Sequence, residues 1–218
     1  MLTFSRRWFV ASTAVAGIML SNLSTSIGLA KFPVPKLKGG MPLMQALAAR
    51  RSTRAYSDQN IEDDMLSSLL WAAFGINRPE SGGHTAPSWH GSMETDIYVA
   101  DAKGVAKYSP AEQSLKSVIE KDSRAKVSPE PFVGTAPTIL VYVADLARMA
   151  KAPEADQIQA AHVDSAVVAE NVYLFCASEG LGTCLIGGVD KKGVATLLHL
   201  PESQIVTFAQ PVGYPKAG

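Results

Sequence analysis

The chain has 218 residues, of which 47% are hydrophobic and 18% charged, and its formal net charge is zero. This composition is ordinary for a globular protein and excludes a disordered or fibrous chain. No run of Lys or Arg forms the basic stripe that nucleic-acid binding requires, so we expect no DNA or RNA partner.

The first 30 residues differ from the rest of the chain. Arg6 and Arg7 precede an apolar run from Val10 to Leu20, and a Ser/Thr-rich stretch then ends in small residues at Ala30. A charged region, an apolar region and a small-residue site follow one another in this order in secretory signal peptides. The apolar run is shorter than the roughly 20 residues that a membrane-spanning helix needs. We therefore expect cleavage near Ala30 and no stable membrane insertion.

The residues around the arginine pair indicate the route of export. Ser5 precedes the pair and Phe9 stands two positions after it, which resembles the signal of the twin-arginine route, an address read by a receptor. That route carries proteins that are already folded, which suits a protein that acquires a cofactor in the cytoplasm. We expect the first 30 residues to be a twin-arginine signal peptide and the mature protein to be periplasmic.

The mature chain is predicted to begin with an extended arm over residues 31–40, because two prolines and a glycine pair prevent both a helix and a central strand. A helix is predicted from Pro42 to about Arg50. From Ile61 to Ala73 the apolar positions recur at intervals of three and four residues, which predicts a second helix that ends at Gly75.

The middle of the chain alternates irregular segments with short elements. Residues 75–94 are rich in Gly, Pro, Ser and His, which predicts a long loop of a kind that is often functional. Strands are predicted over residues 96–100 and 105–108, on either side of a turn. A helix is predicted from Ala111 to Asp122, and an irregular segment follows over residues 123–137.

The run from Thr138 to Ala144 is almost continuously apolar, as expected of a strand that is covered on both faces. Residues 156–179 predict the longest helix, and its apolar residues surround the axis, so it should be buried in the core or in a subunit interface. Three shorter elements complete the chain: a strand over residues 183–188, a helix over 191–198 and a strand over 204–212. The expected class is α+β in one domain.

The cysteines and histidines do not indicate a metal site. The four histidines have no second His or Cys at the interval of a helical metal site, so we expect no metal. Cys176 and Cys184 are too few for a disulfide framework and are interpreted as two buried thiols, although export would permit one bridge. His162 and Asp164 are interpreted as a hydrogen-bonded pair in the core.

Three arginines and two hydroxyl residues lie within five positions at the end of the first predicted helix, as Arg50-Arg51-Ser52-Thr53-Arg54. Cations placed so closely repel one another unless an anion lies among them, and the planar guanidinium group suits bidentate contact with phosphate. This cluster predicts a phosphate site, and a solvated basic turn is the alternative.

The arginine cluster and the C-terminal third of the chain resemble the nitroreductase family of flavoenzymes. The matching segments, spread over residues 41–215, are Arg50–Tyr56, Ala86–Ser88, Gly180–Asp190, Leu200–Glu202 and Pro211–Pro215. Thr85–Leu115 looks most like the SagB-type branch, which contains azoline dehydrogenases of peptide-modifying systems. The resemblance implies a nitroreductase-like fold over residues 31–218, with a central, mostly antiparallel sheet, flanking helices and a long buried helix, in a homodimer.

The resemblance also implies FMN as the cofactor and assigns residues to it. The phosphate would be held by Arg50, Arg51, Ser52 and Arg54, and Lys216 is the basic residue that follows the Pro-Val-Gly segment. One of the arginines is also expected to stabilise the negative charge that reduction puts on the flavin ring.

Two further segments are assigned to the ring itself. Pro87 and Ser88 resemble the loop that one subunit lends to the flavin of the other. Ile186, Gly187 and Gly188 match the segment whose backbone N–H groups lie near the hydride-accepting N5 atom. Ordinary turn glycines are the alternative for the glycine pair.

The implied function is two-electron (hydride) transfer to or from a small organic substrate by an exported, FMN-dependent oxidoreductase. No residue is assigned as a general acid or base, and Trp89 either stacks on a flat substrate or anchors its loop in the core. The electron donor is NAD(P)H or, because little NAD(P)H is expected outside the cytoplasm, another redox protein. Two alternatives are a non-catalytic flavin-binding or flavin-sensing protein of the same fold and a structural protein that has lost the cofactor.

Overall fold

The computed structural model describes residues 30–216, so the predicted signal peptide, apart from Ala30, lies outside the described residues. No helix of this range is long and apolar enough to cross a membrane. The helices are α1 (Leu43–Ala49), α2 (Asp63–Phe74), α3 (Pro131–Gly134), α4 (Glu154–Glu179) and α5 (Lys191–Leu197). The strands are β1 (Ala30–Lys31), β2 (Ile76–Arg78), β3 (Gly83–His84), β4 (Thr95–Ala100), β5 (Val105–Ser109), β6 (Ser114–Ile119), β7 (Thr138–Asp145), β8 (Gly182–Thr183) and β9 (Gln204–Gly213).

Seven of these strands form one sheet in the order β1-β6-β5-β4-β7-β9-β8, and β2 and β3 pair separately. Every pair of neighbours in the large sheet is antiparallel. The predicted α+β class with a central antiparallel sheet is therefore confirmed.

Strand β7 lies in the middle of the sheet, between β4 and β9, and is buried along almost its whole length. Leu140 and Tyr142 point to the face covered by α2 and α4, whereas Ile139 and Val141 belong to the cluster on the opposite face, beside α5. Successive side chains of a strand point to opposite faces, and both faces here are covered. This explains why the sequence of β7 shows no alternation of apolar and polar residues.

Helix α4 packs against α1, α2 and strand β9. Its inner face, which includes Val168, Val172 and Cys176, is buried. Its outer face is not fully covered, because Val163 is 53% exposed and Ile158 is 40% exposed. Burial in the core therefore accounts for one face of this helix. The helix ends at Gly180, whose φ of 73° is the left-handed conformation that favours glycine after a helix.

The predicted helix over residues 111–122 is wrong, because this segment contains strand β6. Leu115 and Ile119 are four residues apart and imitate a helical stripe, but the structure pairs β6 with β5 and places Leu115 opposite Tyr108. Lys116 and Val118 are exposed while their neighbours are partly covered. The local pattern fits both a helix and a strand, and pairing with the neighbouring strand β5 decides for the strand.

Two predicted irregular segments contain short elements. The loop over residues 75–94 includes the β2–β3 hairpin and a 3-10 turn, and residues 123–137 include another 3-10 turn and α3. The predicted strand over residues 183–188 is reduced to β8 and a single bridge between Ile186 and Ala209. The remaining predicted helices and strands are confirmed to within two residues at either end.

Candidate cofactor site

The arginine cluster begins where α1 ends. Arg50 caps this helix, its N–H donating to Ala46 O at 2.9 Å, and its backbone is already extended. The chain then runs beside β8, since Ser52 forms a parallel bridge with Thr183 and Thr53 N donates to Thr183 O at 2.8 Å. The cluster is thus attached to the edge of the main sheet.

The C-terminal segment holds the other side of the same stretch. Ser57 N donates to Tyr214 O at 2.9 Å, and Lys216 N donates to Ala55 O at 3.1 Å. Tyr56 bridges to Pro215. The structure therefore brings Lys216, from the C-terminal segment, next to the arginine cluster.

Gly182 is needed for this close approach. A Cβ atom at this position would lie 2.7 Å from Thr53 Cγ2 and 2.8 Å from Thr53 Cβ, well inside van der Waals contact. Any side chain at residue 182 would push the segment that carries the arginines away from the sheet edge. The local geometry of the cluster thus depends on a glycine from the matching segment in the C-terminal third.

The positive charges of the cluster have no acidic partner in the structure. Arg50 is half-buried, and Arg51, Arg54 and Lys216 are exposed. Among residues 30–216, ion pairs form only at Lys107, Arg124 and Arg148, in other parts of the fold. A group of cations held together without a carboxylate is a favourable environment for an anion.

Tyr173 of α4 joins the cluster to the segment after β8. Its hydroxyl lies 3.1 Å from Ser52 Oγ and accepts a hydrogen bond from Leu185 N at 2.8 Å. The Arg50 guanidinium carbon lies 5.3 Å from the centre of the Tyr173 ring, within the range of a cation–π contact. Tyr173 could not be predicted from the sequence, because a single hydroxyl in a long apolar helix carries no recognisable signal.

The glycine pair follows a buried anchor. Ile186 exchanges two backbone hydrogen bonds with Ala209 of β9, at 2.7 and 3.2 Å. Gly188 is held by Ser128, whose hydroxyl donates to Gly188 O at 2.7 Å. The backbone of the pair is therefore fixed in place beside the sheet.

The outer side of this backbone is open. Gly187 and Gly188 are exposed, neither has a positive φ, and a Cβ added at either would meet nothing within 4 Å. Their amide groups donate no hydrogen bond to residues 30–216. Neither a turn conformation nor internal packing requires glycine here, so the alternative of ordinary turn glycines is weakened. Two free amides on a fixed, unobstructed backbone fit a ring that accepts hydrogen bonds at its edge.

Pro87 and Ser88 lie elsewhere in the protomer. Pro87 is exposed, Ser88 Oγ accepts from Met93 N at 2.8 Å, and the next amide, Trp89 N, donates to Asp164 Oδ2 at 2.6 Å. Asp164 precedes Tyr173 by nine residues on α4, about 13 Å along the helix axis. Within one protomer the structure does not bring this loop into contact with the arginines.

The ring of Trp89 packs inward on Ala144, Met149 and Ala160. This contact favours the interpretation of Trp89 as an anchor of its loop over that of a stacking platform for substrate.

The predicted hydrogen bond between His162 and Asp164 is wrong. His162 Nδ1 contacts Ile158 O at 2.7 Å, and His162 Nε2 lies 3.2 Å from Lys191 Nζ. Residues two positions apart on a helix point to nearly opposite sides, so these two side chains do not face each other.

Asp164 instead belongs to a pair of buried carboxyl groups at the base of the loop. Glu94 is fully buried, and Ser92 Oγ donates to Glu94 Oε2 at 2.6 Å. Burial raises the pKa of Glu94 above its ordinary value, and the neighbouring Asp164 carboxyl raises this pKa further. This pair could not be predicted from local spacing, since the two residues are 70 positions apart.

Cys176 and Cys184 are both buried and free, which confirms the prediction of two buried thiols. Burial raises the pKa of the Cys176 thiol, so it is a weak nucleophile. Across residues 30–216 no group of three or more His, Cys, Asp or Glu side chains could hold a metal ion.

Two cavities lie near these elements. One of about 470 Å³ opens beside the cluster, with Arg51, Thr53, Tyr173 and Cys176 in its wall. A groove of about 800 Å³ runs between the N-terminal arm, α1, α2 and α4, and none of the predicted cofactor residues lines it.

Comparison with known proteins gives a consistent result. The profile of the nitroreductase family matches residues 47–214. A provisionally assigned nitroreductase of Ralstonia eutropha JMP134, known from its crystal structure, is similar at 36% identity with a TM-score of 0.83, over 87% of this chain and 90% of that one. A protein of Methanocaldococcus jannaschii, named provisionally as a nitroreductase, is 28% identical over 78% of this chain and 90% of its own length.

A more distant structure shares the fold. The FMN-dependent nitroreductase of Clostridium difficile R20291 is 22% identical and superposes with a TM-score of 0.58, over 80% of this chain and 88% of that one.

Proposed function

The chain belongs to the nitroreductase family of oxidoreductases, and we propose that it is an exported, FMN-dependent member that transfers hydride to or from a small organic substrate. FMN, when bound, supplies a ring that takes up and releases two electrons. One observation carries the proposal: a cluster of cations without acidic partners lies at the same sheet edge as a fixed backbone segment with two free, unobstructed amides.

The cluster would hold the phosphate. Arg50, Arg54 and Lys216 supply positive charge, and Ser52 supplies a neutral donor between them. Hydrogen bonds between guanidinium groups and phosphate oxygens are stronger than neutral ones, and they fix the orientation of the anion as well as its position. Arg51, which borders the neighbouring cavity, adds charge from the other side.

The backbone of Gly187 and Gly188 would meet the ring. A backbone donor can approach a flat ring closely only where no side chain intervenes, and both positions provide this. A cation near the ring stabilises the negative charge that reduction creates, which makes reduction easier. The arginine cluster supports such a role because its charge is not neutralised within residues 30–216.

The site is completed, in our proposal, by a second copy of the chain in a homodimer. Large apolar side chains are exposed on two helices: Leu43, Met44 and Leu47 of α1 at 45% or more, and Val163 of α4 at 53%. Such exposure on adjacent helices is typical of an interaction surface. The second subunit would lend Pro87 and Ser88, which the fold of one protomer leaves away from its own cations.

The resemblance to the azoline-dehydrogenase branch favours an azoline or another small organic molecule as substrate. If the enzyme acts as a reductase and NAD(P)H reaches it, NAD(P)H is the electron donor, although little NAD(P)H is expected outside the cytoplasm. Outside the cytoplasm, another redox protein supplies electrons or receives them after substrate oxidation. Anaerobic mixing of the flavin-loaded protein with each candidate, followed by absorbance, distinguishes these cases because only a true donor bleaches the flavin.

Export is supported by the sequence of the first 30 residues alone. We propose a twin-arginine signal with cleavage near Ala30, and the protein is then periplasmic. Replacing both Arg6 and Arg7 with lysine keeps the charge but removes the paired guanidinium groups. This variant should accumulate as an uncleaved cytoplasmic precursor, and unchanged export would contradict the proposed route.

The function is tested by the visible absorbance spectrum of the purified mature protein, with mass identification of the released chromophore. We expect FMN at about one molecule per subunit. Arg50→Ala should lose bound FMN while keeping its fold, because Arg50 is only half-buried and makes no side-chain hydrogen bond within residues 30–216. Arg124→Ala is the matched control, since that arginine lies in an ion pair elsewhere. A protein that cannot be loaded with FMN refutes the proposal.

A further inference from the structure

Tyr173 stands at the junction between the two halves of the proposed site. Its hydroxyl oxygen accepts from Leu185 N at 2.8 Å and lies 3.1 Å from Ser52 Oγ. Leu185 directly precedes the anchor of the glycine pair, and Ser52 lies in the middle of the arginine cluster. One hydroxyl of the long helix therefore contacts both segments, while the glycine pair keeps its own backbone anchor between Ile186 and Ala209.

The hydrogen bonds at this hydroxyl have a preferred direction. The Leu185 amide can only donate, so it occupies one lone pair of the tyrosine oxygen. Either hydroxyl could donate at this distance, but a phenolic hydroxyl is a better donor and a poorer acceptor than an aliphatic one, so donation from Tyr173 to Ser52 Oγ is the favoured direction. Ser52, which is exposed, is then left with its proton free to point away from the helix.

We propose that Tyr173 is a positioning residue that makes Ser52 a donor toward the phosphate, through the chain Leu185 N–H to Tyr173 O–H to Ser52 O–H. This inference rests on the proposed function. Hydrogen bonds in such a chain polarise one another, and a polarised serine hydroxyl is a stronger donor to an anion. The Tyr173 ring carries a separate contact, because Arg50 lies over it at 5.3 Å.

Tyr173→Phe separates these two contacts. It removes the hydroxyl and keeps the ring, so the contact with Arg50 and the packing of α4 remain. Ser52→Ala interrupts the same chain at its other end, and Ser52 is exposed, so this variant does not disturb the core. Tyr108→Phe is the matched control, because it likewise removes a tyrosine hydroxyl and its hydrogen bond, here 2.8 Å to Gln113 Oε1, away from the proposed site.

The experiment measures the affinity of each apoprotein variant for FMN and for riboflavin, which has the same ring but no phosphate. Tyr173→Phe should weaken FMN binding about fivefold, the size expected when a neutral hydrogen bond is lost, because Ser52 keeps its hydroxyl toward the phosphate but loses the partner that positions it. Riboflavin binding should stay unchanged. The double variant should bind FMN no more weakly than Ser52→Ala alone, because both substitutions interrupt one chain. Tyr108→Phe should leave both affinities unchanged.

Three results with Tyr173→Phe overturn the inference: the variant loses no FMN affinity, it loses affinity for both flavins equally, or its effect multiplies with that of Ser52→Ala. Ser52→Ala that binds FMN like the wild type also overturns it, whether or not Tyr173→Phe folds. Failure of the proposed function looks different. In that case the wild-type protein binds FMN no better than riboflavin, and Arg50→Ala changes neither affinity.

Discussion

The variant Gly188→Ala distinguishes what the stability of the apoprotein requires at residue 188 from what binding of a flavin ring requires there. The structure leaves the space beyond Gly188 empty, since an added Cβ meets nothing within 4 Å, and its φ is not positive. The folded apoprotein should therefore accept alanine without strain. Alanine also restricts the unfolded chain more than glycine, so the free energy of unfolding should stay level or rise by about 0.4–1 kcal/mol.

Binding of FMN should respond in the opposite direction. A methyl group on this backbone would hold a flat ring away from the amide and remove a hydrogen bond worth about 1 kcal/mol. Lost dispersion contacts of the ring add to this, so we expect FMN affinity to fall at least about tenfold. The result predicted is thus an apoprotein of equal or greater stability with a much weaker cofactor site.

Urea unfolding of the apoprotein and fluorescence titration with FMN measure the two quantities. Gly182→Ala is the contrasting variant, because its Cβ would lie 2.7 Å from Thr53 Cγ2, and overpacking of this kind costs about 1–3 kcal/mol of stability. If Gly188→Ala binds FMN as tightly as the wild type, the glycine pair does not contact the cofactor. If it destabilises the apoprotein as strongly as Gly182→Ala, the space beyond Gly188 is not free.

Three further predictions concern the fold and the assembly. Leu70→Ala should lower the free energy of unfolding by about 3 kcal/mol in urea titration, because Leu70 of α2 is fully buried in the core. A loss below about 1 kcal/mol would contradict this packing. Burial raises the pKa of Glu94 in the folded protein. Protonated Glu94 therefore contributes fully to the free energy of unfolding below the ordinary glutamate pKa of about 4.3, and this contribution is lost as pH rises through the folded-state pKa. Urea unfolding of Glu94→Gln at several pH values should therefore show a gain over the wild type that grows with pH, whereas a constant difference would exclude the linkage. Val163→Asp should convert the proposed dimer to a monomer in light scattering, since a charge would be placed on the exposed face of α4, and Lys116→Asp on strand β6 is the control expected to stay dimeric.

The sequence was informative wherever a periodic pattern extended over a whole element. The spacing from Ile61 to Ala73 predicts α2, and the continuous apolar run from Thr138 predicts β7 as a strand covered on both faces. Both predictions are confirmed because burying one side of a helix, or both faces of a strand, requires apolar residues at regular positions, and this pattern is visible in a single sequence. The order of the motifs likewise indicates the family.

Short patterns that fit two conformations do not determine the secondary structure on their own. Strand β6 carries apolar residues at positions compatible with a helix, and only pairing with β5 makes it a strand. His162 and Asp164 are close in sequence and yet do not face each other, while Glu94 and Asp164 are distant and share one buried site. Such relations depend on how elements pack, which local spacing does not encode.

Residue types alone predict the chemistry of the candidate site: arginines and a serine for an anion, and glycines for close approach of a ring. The tertiary structure was needed to place Lys216 beside the arginines, to join Ser52 to Leu185 through Tyr173, and to show that nothing within residues 30–216 requires Gly187 and Gly188 to be glycine. The reason is physical. Residue type fixes what a side chain can bind, whereas the sheet edge and the long helix, formed by contacts between distant parts of the chain, fix which of those side chains meet.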